Sequence, residues 1–122
     1  MGLRVLVADD EEDILEVIQD RLEACGFTVV TAANGVEALK KITTERFDGV
    51  FLDVKMPEMS GIEVLEEVRK KDTRLPIIII TSSTSREAAI GSLAKGASEF
   101  ILKPFDWPEL KSKIEKVLQV SL

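Results

Sequence analysis

The chain has 122 residues, the usual size of one domain, and 45% of them are hydrophobic and 31% charged. This balance excludes a disordered tail and a disulfide scaffold, so we expect a single globular domain over residues 1–122. A formal net charge of −6 argues against direct binding of this chain to nucleic acid or to an anionic membrane.

Two features of the sequence indicate the cellular compartment of the protein. Cys25 has no second cysteine to pair with, so we interpret it as a small core residue in a reducing compartment. The N-terminal stretch MGLRVLVADD is far too short in its apolar part for a signal peptide or a membrane span. The sequence therefore predicts a cytoplasmic protein.

Short apolar runs alternate with stretches of helical periodicity along the whole chain, a pattern that is typical of repeated βα units. Runs such as Ile77–Ile80 show no polar alternation, as expected of parallel strands that are covered on both faces. The predicted strands span residues 3–8, 28–32, 48–52, 76–81 and 98–102.

Between the strands, apolar residues recur every three or four positions and predict helices with one buried face. The fourth helix, near residues 85–95, is short and weakly apolar, so we expect it to be the least firmly docked. The apolar faces of the other four are Ile14, Ile18 and Leu22; Val36, Leu39 and Ile42; Ile62, Leu65 and Val68; and Leu110, Ile114, Val117 and Leu118.

Each predicted helix starts with a capping residue that is followed three positions later by an acid. This spacing predicts a helix start at five places in the chain. The pairs are Asp10 with Asp13, Asn34 with Glu37, Ser60 with Glu63, Thr84 with Glu87 and Asp106 with Glu109.

Polar residues follow four of the five predicted strands, at the carboxyl ends where open parallel sheets place their chemistry. Only Ala32, Ala33 and Asn34 follow the second strand, which favours an edge position for it and a strand order of 2-1-3-4-5. The polar residues are Asp9 and Asp10 after strand one, Asp53 after strand three, Thr81 at the end of strand four, and Lys103 with Pro104 after strand five.

This strand order brings three carboxylates together. Neighbouring strands lie about 4.8 Å apart, so Asp9, Asp10 and Asp53 converge and repel one another unless a proton or a cation intervenes. A carboxylate-rich site in a chain without histidine suits Mg²⁺ better than zinc. The ionised Asp53 can attack phosphorus, while Mg²⁺, Lys103 and Thr81 bind the phosphoryl oxygens.

In this order and at these spacings, the residues resemble the receiver domain of bacterial two-component response regulators, of the chemotaxis-regulator-like type. The resemblance covers essentially the whole chain. It implies an α/β fold of the flavodoxin-like, doubly wound (βα)5 kind. It is carried by Asp9-Asp10, by DVKMPEMSG beginning at Asp53, by Thr81-Ser82, and by Phe100 three places before Lys103-Pro104.

The resemblance also implies how the site works. Asp53 would accept a phosphoryl group from a phosphohistidine on a sensor histidine kinase or a histidine phosphotransfer protein. Mg²⁺, or Mn²⁺ in its place, would be bound by Asp10, Asp53 and the backbone carbonyl of Lys55, with Asp9 acting mainly through water.

The remaining residues of the resemblance would transmit the signal. Thr81 would move toward the phosphoryl oxygen beside Ser82, Phe100 would swing into the space that Thr81 vacates, and Lys103 would pair with the phosphate. The changed surface of helix four, strand five and helix five would then control a downstream protein or a fused output domain, or mediate dimerisation. The Lys103–Pro104 peptide bond would be cis.

Two further residues are expected to set the lifetime of the phosphoryl group. Lys55 and Ser83 lie two positions after Asp53 and Thr81 and flank the path of the attacking water. The chain would thus assist its own phosphorylation and autodephosphorylation without being an enzyme for a separate substrate.

Other interpretations remain beside this one. A phosphate-independent interaction module would not need the whole set of site residues that this chain retains. A Mg²⁺-dependent phosphohydrolase with an aspartyl nucleophile would carry a second acid where this chain has Lys55. Phe100 is equally well explained as a core residue. The sequence fits both a stand-alone receiver and the front part of a longer regulator.

Overall fold

The computed structural model describes residues 2–122, in which parallel strands form one five-stranded sheet with helices on both faces. The strands are β1 (Arg4–Ala8), β2 (Thr28–Ala32), β3 (Gly49–Leu52), β4 (Ile77–Ser82) and β5 (Glu99–Lys103). Their order in the sheet is β2-β1-β3-β4-β5, so the predicted order is confirmed, and β2 and β5 lie at the two edges.

The helices follow the strands in alternation, as the predicted (βα)5 fold requires. They are α1 (Glu12–Ala24), α2 (Gly35–Thr44), α3 (Gly61–Arg69), α4 (Arg86–Ser92) and α5 (Trp107–Leu118). Two 3-10 turns, Ser83–Ser85 and Leu93–Lys95, flank α4. Each strand agrees with its predicted bounds to within one residue at either end. None of the helices within residues 2–122 is sufficiently long and apolar to cross a lipid bilayer.

The hydrophobic core forms two clusters, one on each face of the sheet. Alternate residues of β4 serve both clusters: Ile77 and Ile79 pack on the side of α2 and α3, whereas Ile78 and Ile80 pack on the side of α1 and α5. All four isoleucines are buried. The unbroken apolar run in the sequence therefore reflects burial on both faces of a central strand.

Three of the five predicted helix caps are present. In each of them, the side-chain oxygen of the capping residue accepts a hydrogen bond from the backbone N–H three positions on. In α3 the acid also bonds back to the backbone N–H of the capping residue and completes a capping box. The confirmed pairs are Asn34 with Glu37, Ser60 with Glu63 and Asp106 with Glu109.

The other two predicted caps are wrong. The N-cap of α1 is Glu11 rather than Asp10, and the Glu11 N–H donates to the carboxylate of Asp9 instead. The chain before α4 first makes a 3-10 turn, so that helix starts after Ser85, and the Thr84 hydroxyl is used elsewhere. At α1 the neighbouring Asp9 accepts from the N–H of Glu11, and before α4 the Thr84 hydroxyl bonds Ser82 and Lys55 instead of a helix N–H.

Two burial predictions also need correction. Val36 is 50% exposed, because α2 buries Gly35 and Ala38 and turns Val36 outward. Cys25 is only partly buried and lies at the margin of the cluster beside α1 and α5. In α4, only Ala89 and Ser92 are buried and Ile90 is exposed, which agrees with the expected weak docking of this helix.

Candidate functional site at the carboxyl edge of the sheet

Sheet register places two aspartates side by side where β1 and β3 end. Ala8 pairs with Leu52, so the next residue on each strand, Asp9 and Asp53, leaves the sheet at the same level. The Asp53 N–H donates to the carbonyl of Ala8 at 3.0 Å, and the Asp9 N–H donates to the carbonyl of Ala32 at 3.1 Å. Both side chains are nearly buried, with Asp9 3% and Asp53 4% exposed.

Two more acids complete the cluster. Asp9, Asp10, Glu11 and Asp53 each offer a carboxylate oxygen, and these oxygens all lie within 4.8 Å of one another. Asp10 and Glu11 are exposed, so the cluster opens to solvent on their side. Glu11 is not among the site residues predicted from the sequence, because that prediction rests on the residues directly after each strand, here Asp9 and Asp10. The signal was the uninterrupted acidic run after a buried strand.

Lys103 supplies the counter-charge from the end of β5. Its Nζ donates to Asp9 Oδ2 at 2.7 Å, to Glu11 Oε1 at 3.1 Å and to Asp53 Oδ2 at 3.2 Å. The side chain is only 10% exposed, so water screens these ion pairs weakly. The lysine thus crosses the end of β4 to reach the acids.

The second oxygen of Asp53 is held by different groups. The Thr81 hydroxyl, which is buried at the end of β4, donates to Asp53 Oδ1 at 2.8 Å. The backbone N–H of Lys55 donates to the same oxygen at 3.3 Å. Asp53 is therefore oriented by groups from three directions, namely Thr81, Lys55 and Lys103.

The charges of the cluster are unbalanced. Burial raises the pKa of Asp9 to about 6, with a smaller contribution from the Asp53 charge, while hydrogen bonds from Lys103 and the Glu11 N–H act in the opposite direction. For Lys103, burial lowers the pKa, but the hydrogen bond to Asp9 and the charges of Asp53 and Asp9 together raise it above its ordinary value. Lys103 stays cationic at pH 7, and one ammonium faces several carboxylates.

The donor set fits a hard divalent cation. All the clustered ligand atoms are carboxylate oxygens, and the chain contains no histidine. Mg²⁺ prefers oxygen ligands and keeps several of its waters, for which the exposed side of Asp10 and Glu11 leaves room. The predicted backbone ligand, the carbonyl of Lys55, belongs to the loop that leaves Asp53.

Close backbone packing fixes the loop between Asp53 and α3. A Cβ atom on Gly61 would lie 2.0 Å from the carbonyl oxygen of Asp53, and a Cβ on Gly35 would lie 1.9 Å from the carbonyl oxygen of Met59. Only glycine permits either approach. Between the two contacts, Glu58 adopts a φ of 69°, which a residue with a side chain rarely does. The loop is therefore held from both sides.

The loop after β4 carries the remaining predicted polar residues. The hydroxyls of Ser82 and Thr84 are 2.6 Å apart, and the Lys55 ammonium donates to the Thr84 hydroxyl at 3.3 Å. Ser83 is exposed at the start of the 3-10 turn. Lys55 thus links the loop after Asp53 to the loop after β4, and its partner there is Thr84 rather than Ser83.

Phe100 lies on the same face of the sheet as Thr81. Phe100 pairs with Ile79 and Thr81 pairs with Leu102 in the ladder between β4 and β5. The ring is partly buried against the cluster that includes Ile79. The predicted cis peptide bond is present between Lys103 and Pro104.

Comparisons with known proteins point to one family. The model of the response regulator receiver domain family matches residues 5–115. The alkaline phosphatase synthesis transcriptional regulatory protein PhoP of Bacillus subtilis is 37% identical over 121 residues, which cover 99% of this chain and 50% of that protein. The transcriptional regulatory protein PrrA of Mycobacterium tuberculosis is 34% identical over 116 residues, with 95% and 50% covered. The chain spans about half the length of these relatives.

Solved structures resemble this chain over nearly their whole length. The response regulator TrrA of Thermotoga maritima, in complex with Mg²⁺ and BeF, has a TM-score of 0.85 and 41% identity, with 96% of this chain and 99% of that chain covered. A CheY-like receiver domain protein of Methanospirillum hungatei has a TM-score of 0.90 and 35% identity, with 98% and 95% covered. The predicted resemblance is confirmed: this chain belongs to the response regulator receiver domain family, the phosphorylation-controlled module of two-component signalling.

Proposed function

We propose that residues 1–122 form a single receiver domain that works as a phosphorylation-activated switch in the cytoplasm. Asp53 accepts a phosphoryl group from the phosphohistidine of a sensor histidine kinase or a histidine phosphotransfer protein. The contacts of Asp53 carry the proposal: a nearly buried carboxylate is oriented by Thr81, Lys55 and Lys103 beside three further acids.

The acid cluster supports a Mg²⁺ site. Asp10, Asp53 and the backbone carbonyl of Lys55 would hold the ion, with Asp9 acting through water and Glu11 adding negative charge at the open side. Mn²⁺ has the same preference for oxygen ligands and would substitute. When bound, the ion supplies positive charge to the phosphoryl oxygens.

Each site residue of this chain has its own role in the phosphoryl transfer. An Asp53 oxygen forms a bond to phosphorus as the bond between phosphorus and the histidine nitrogen breaks, and the leaving imidazole takes up a proton. Lys103 exchanges its carboxylate partners for a phosphoryl oxygen, and the hydroxyl of Thr81, next to Ser82, donates to another. Charge that spreads over the phosphoryl oxygens is thereby stabilised. Attack by water on the same phosphorus restores the carboxylate.

The output follows from the movement of Thr81 toward the phosphoryl group. Phe100 moves into the vacated space, and the surface of α4, β5 and α5 changes toward a downstream protein, a fused output domain or a second copy. The relatives PhoP and PrrA are named as transcriptional regulators, which supports a fused output domain as one partner. With its net charge of −6, this chain does not itself bind nucleic acid or a membrane.

Phosphorylation by a small donor tests the proposal. Incubation with acetyl phosphate and Mg²⁺ should add one phosphoryl group to the intact protein, measured by mass spectrometry. Asp53→Asn should abolish the gain, because the amide is not nucleophilic, and EDTA should abolish it in the wild type. The control Asp20→Asn removes an exposed carboxylate on α1 and should phosphorylate normally. Absence of any gain in the wild type would favour the phosphate-independent module, and multiple-turnover phosphate release without accumulation would favour the phosphohydrolase.

Lys55 gives a second prediction, which concerns the lifetime of the phosphoryl group. Its side chain reaches from the Asp53 loop to Thr84, so Lys55→Ala should change the rate of autodephosphorylation severalfold while phosphorylation persists. The measurement is the decay of the phosphorylated mass after removal of the donor. Lys71→Ala, which removes an exposed lysine from the turn after α3, is the matched control and should decay like the wild type. An unchanged decay rate in Lys55→Ala would remove this role.

A further inference from the structure

The outer edge of β5 is covered by side chains at Phe100. An edge strand leaves the backbone groups on its outer side without a neighbouring strand. At Phe100 the N–H donates to Glu99 Oε1 at 3.0 Å, and the carbonyl accepts from Lys113 Nζ on α5 at 2.6 Å. The carboxylate and the ammonium lie 3.7 Å apart. We call these three residues the Phe100 clasp.

The clasp also contacts the aromatic ring. Lys113 Nζ lies 5.4 Å from the centroid of the Phe100 ring, within the range of a cation–π interaction. Lys113 comes from the helix on the opposite face of the sheet from the ring, so its side chain passes around the edge of β5. One side chain therefore fixes both the backbone and the ring of Phe100.

Phe100 is connected in turn to the phosphorylation site. Thr81 lies on the same face of the adjacent strand and donates to Asp53. If Thr81 moves toward a phosphoryl group and the ring follows it inward, the ring leaves Lys113. The cation–π contact needs the ring in the position described here, so it would stabilise this arrangement against one in which the ring has moved inward.

We propose that Lys113 is a positioning residue that holds Phe100 in the arrangement of the unphosphorylated protein and so opposes the change that a phosphoryl group on Asp53 drives. This role rests on the proposed switch function. A cation–π contact of this exposure corresponds to about a two- to fivefold shift in a two-state equilibrium. Removal of Lys113 should therefore favour the phosphorylated arrangement by that factor.

Binding of beryllium fluoride with Mg²⁺ measures this shift without hydrolysis. Lys113→Met keeps most of the aliphatic stem and removes the charge, and it should lower the apparent Kd for beryllium fluoride about two- to fivefold in an NMR titration. The Phe100 ring resonances should move toward their bound positions in the absence of ligand. Lys113→Arg restores a cation over the ring and should bind like the wild type.

Matched variants separate this role from general effects of charge and stability. Lys116 lies on the same helix and pairs with Glu99, but it does not contact the ring. Lys116→Met therefore removes an equal charge and should leave the Kd unchanged. In a Phe100→Leu background, Lys113→Met should have no effect, because no ring remains to be held. An unchanged Kd in Lys113→Met, or an equal change in Lys116→Met, would overturn the proposal. If the wild type does not bind beryllium fluoride at all, the proposed function itself fails.

Discussion

Lys103→Met should lower the rate of phosphorylation of Asp53 by acetyl phosphate about 10²- to 10³-fold, the usual cost of removing one group that stabilises developing charge. Lys103 Nζ already bonds Asp9 and Asp53 at 2.7 and 3.2 Å, so a small movement brings it onto a phosphoryl oxygen. Methionine keeps the length of the stem but offers neither charge nor a donor. The measurement is the initial rate of mass gain at saturating Mg²⁺.

The control for Lys103 must remove an equal charge elsewhere. Lys95→Met does so in the turn after α4, where the lysine pairs with the exposed Glu66, and this variant should phosphorylate at the wild-type rate. Lys103→Arg keeps the charge but has a different geometry, so we expect partial activity. A rate within threefold of wild type in Lys103→Met would show that Lys103 serves only to neutralise the acids.

Gly61→Ala should destabilise the protein by about 2–3 kcal/mol, the upper part of the range for overpacking a core. The added Cβ would lie 2.0 Å from the carbonyl oxygen of Asp53 and 3.3 Å from the Cα of Val54, and neither is the end of a flexible side chain. Either α3 or the Asp53 backbone must shift. Urea unfolding measures the stability, and the initial rate of phosphorylation should fall as well, because Asp53 would lose its alignment with Thr81 and Lys103.

Gly91→Ala is the matched control for Gly61. Gly91 lies inside α4, and an added Cβ there meets no atom within 4 Å. Alanine is favoured over glycine in a helix by about 0.5–1 kcal/mol, so this variant should be slightly more stable than the wild type. The same substitution therefore has opposite signs at the two positions, and a loss of stability at Gly91 or none at Gly61 would contradict the assigned packing.

The sheet could be predicted because its signals are long in sequence and redundant. An apolar run such as Ile77–Ile80 has few alternatives to a buried strand, and the absence of charged residues directly after Ala32 indicates which strand lies at the edge away from the site. Parallel register then carries Asp9 and Asp53 to the same level without further information. These arguments depend on backbone geometry, which is the same for many different side chains.

The predictions that were wrong concern places where two local arrangements have similar free energies. The hydroxyl of Thr84 had either a helix N–H or a neighbouring hydroxyl to bond, and these differ by a fraction of a hydrogen bond. Helix α1 is capped by Glu11, one residue later than predicted, and the Glu11 carboxylate joins the acid cluster. The rotation of α2 that exposes Val36 follows from the tight contact of Gly35 with Met59, which no local pattern shows.

That contact has a consequence for how the molecule responds. Gly35 and Gly61 pack tightly against the backbone on the two sides of the loop that follows Asp53, so this side of the site is rigid. The opposite wall is built from short 3-10 turns around a weakly buried α4. If Asp53 is phosphorylated as proposed, we expect strain created there to be relieved through β4 toward β5 rather than through the loop that follows Asp53.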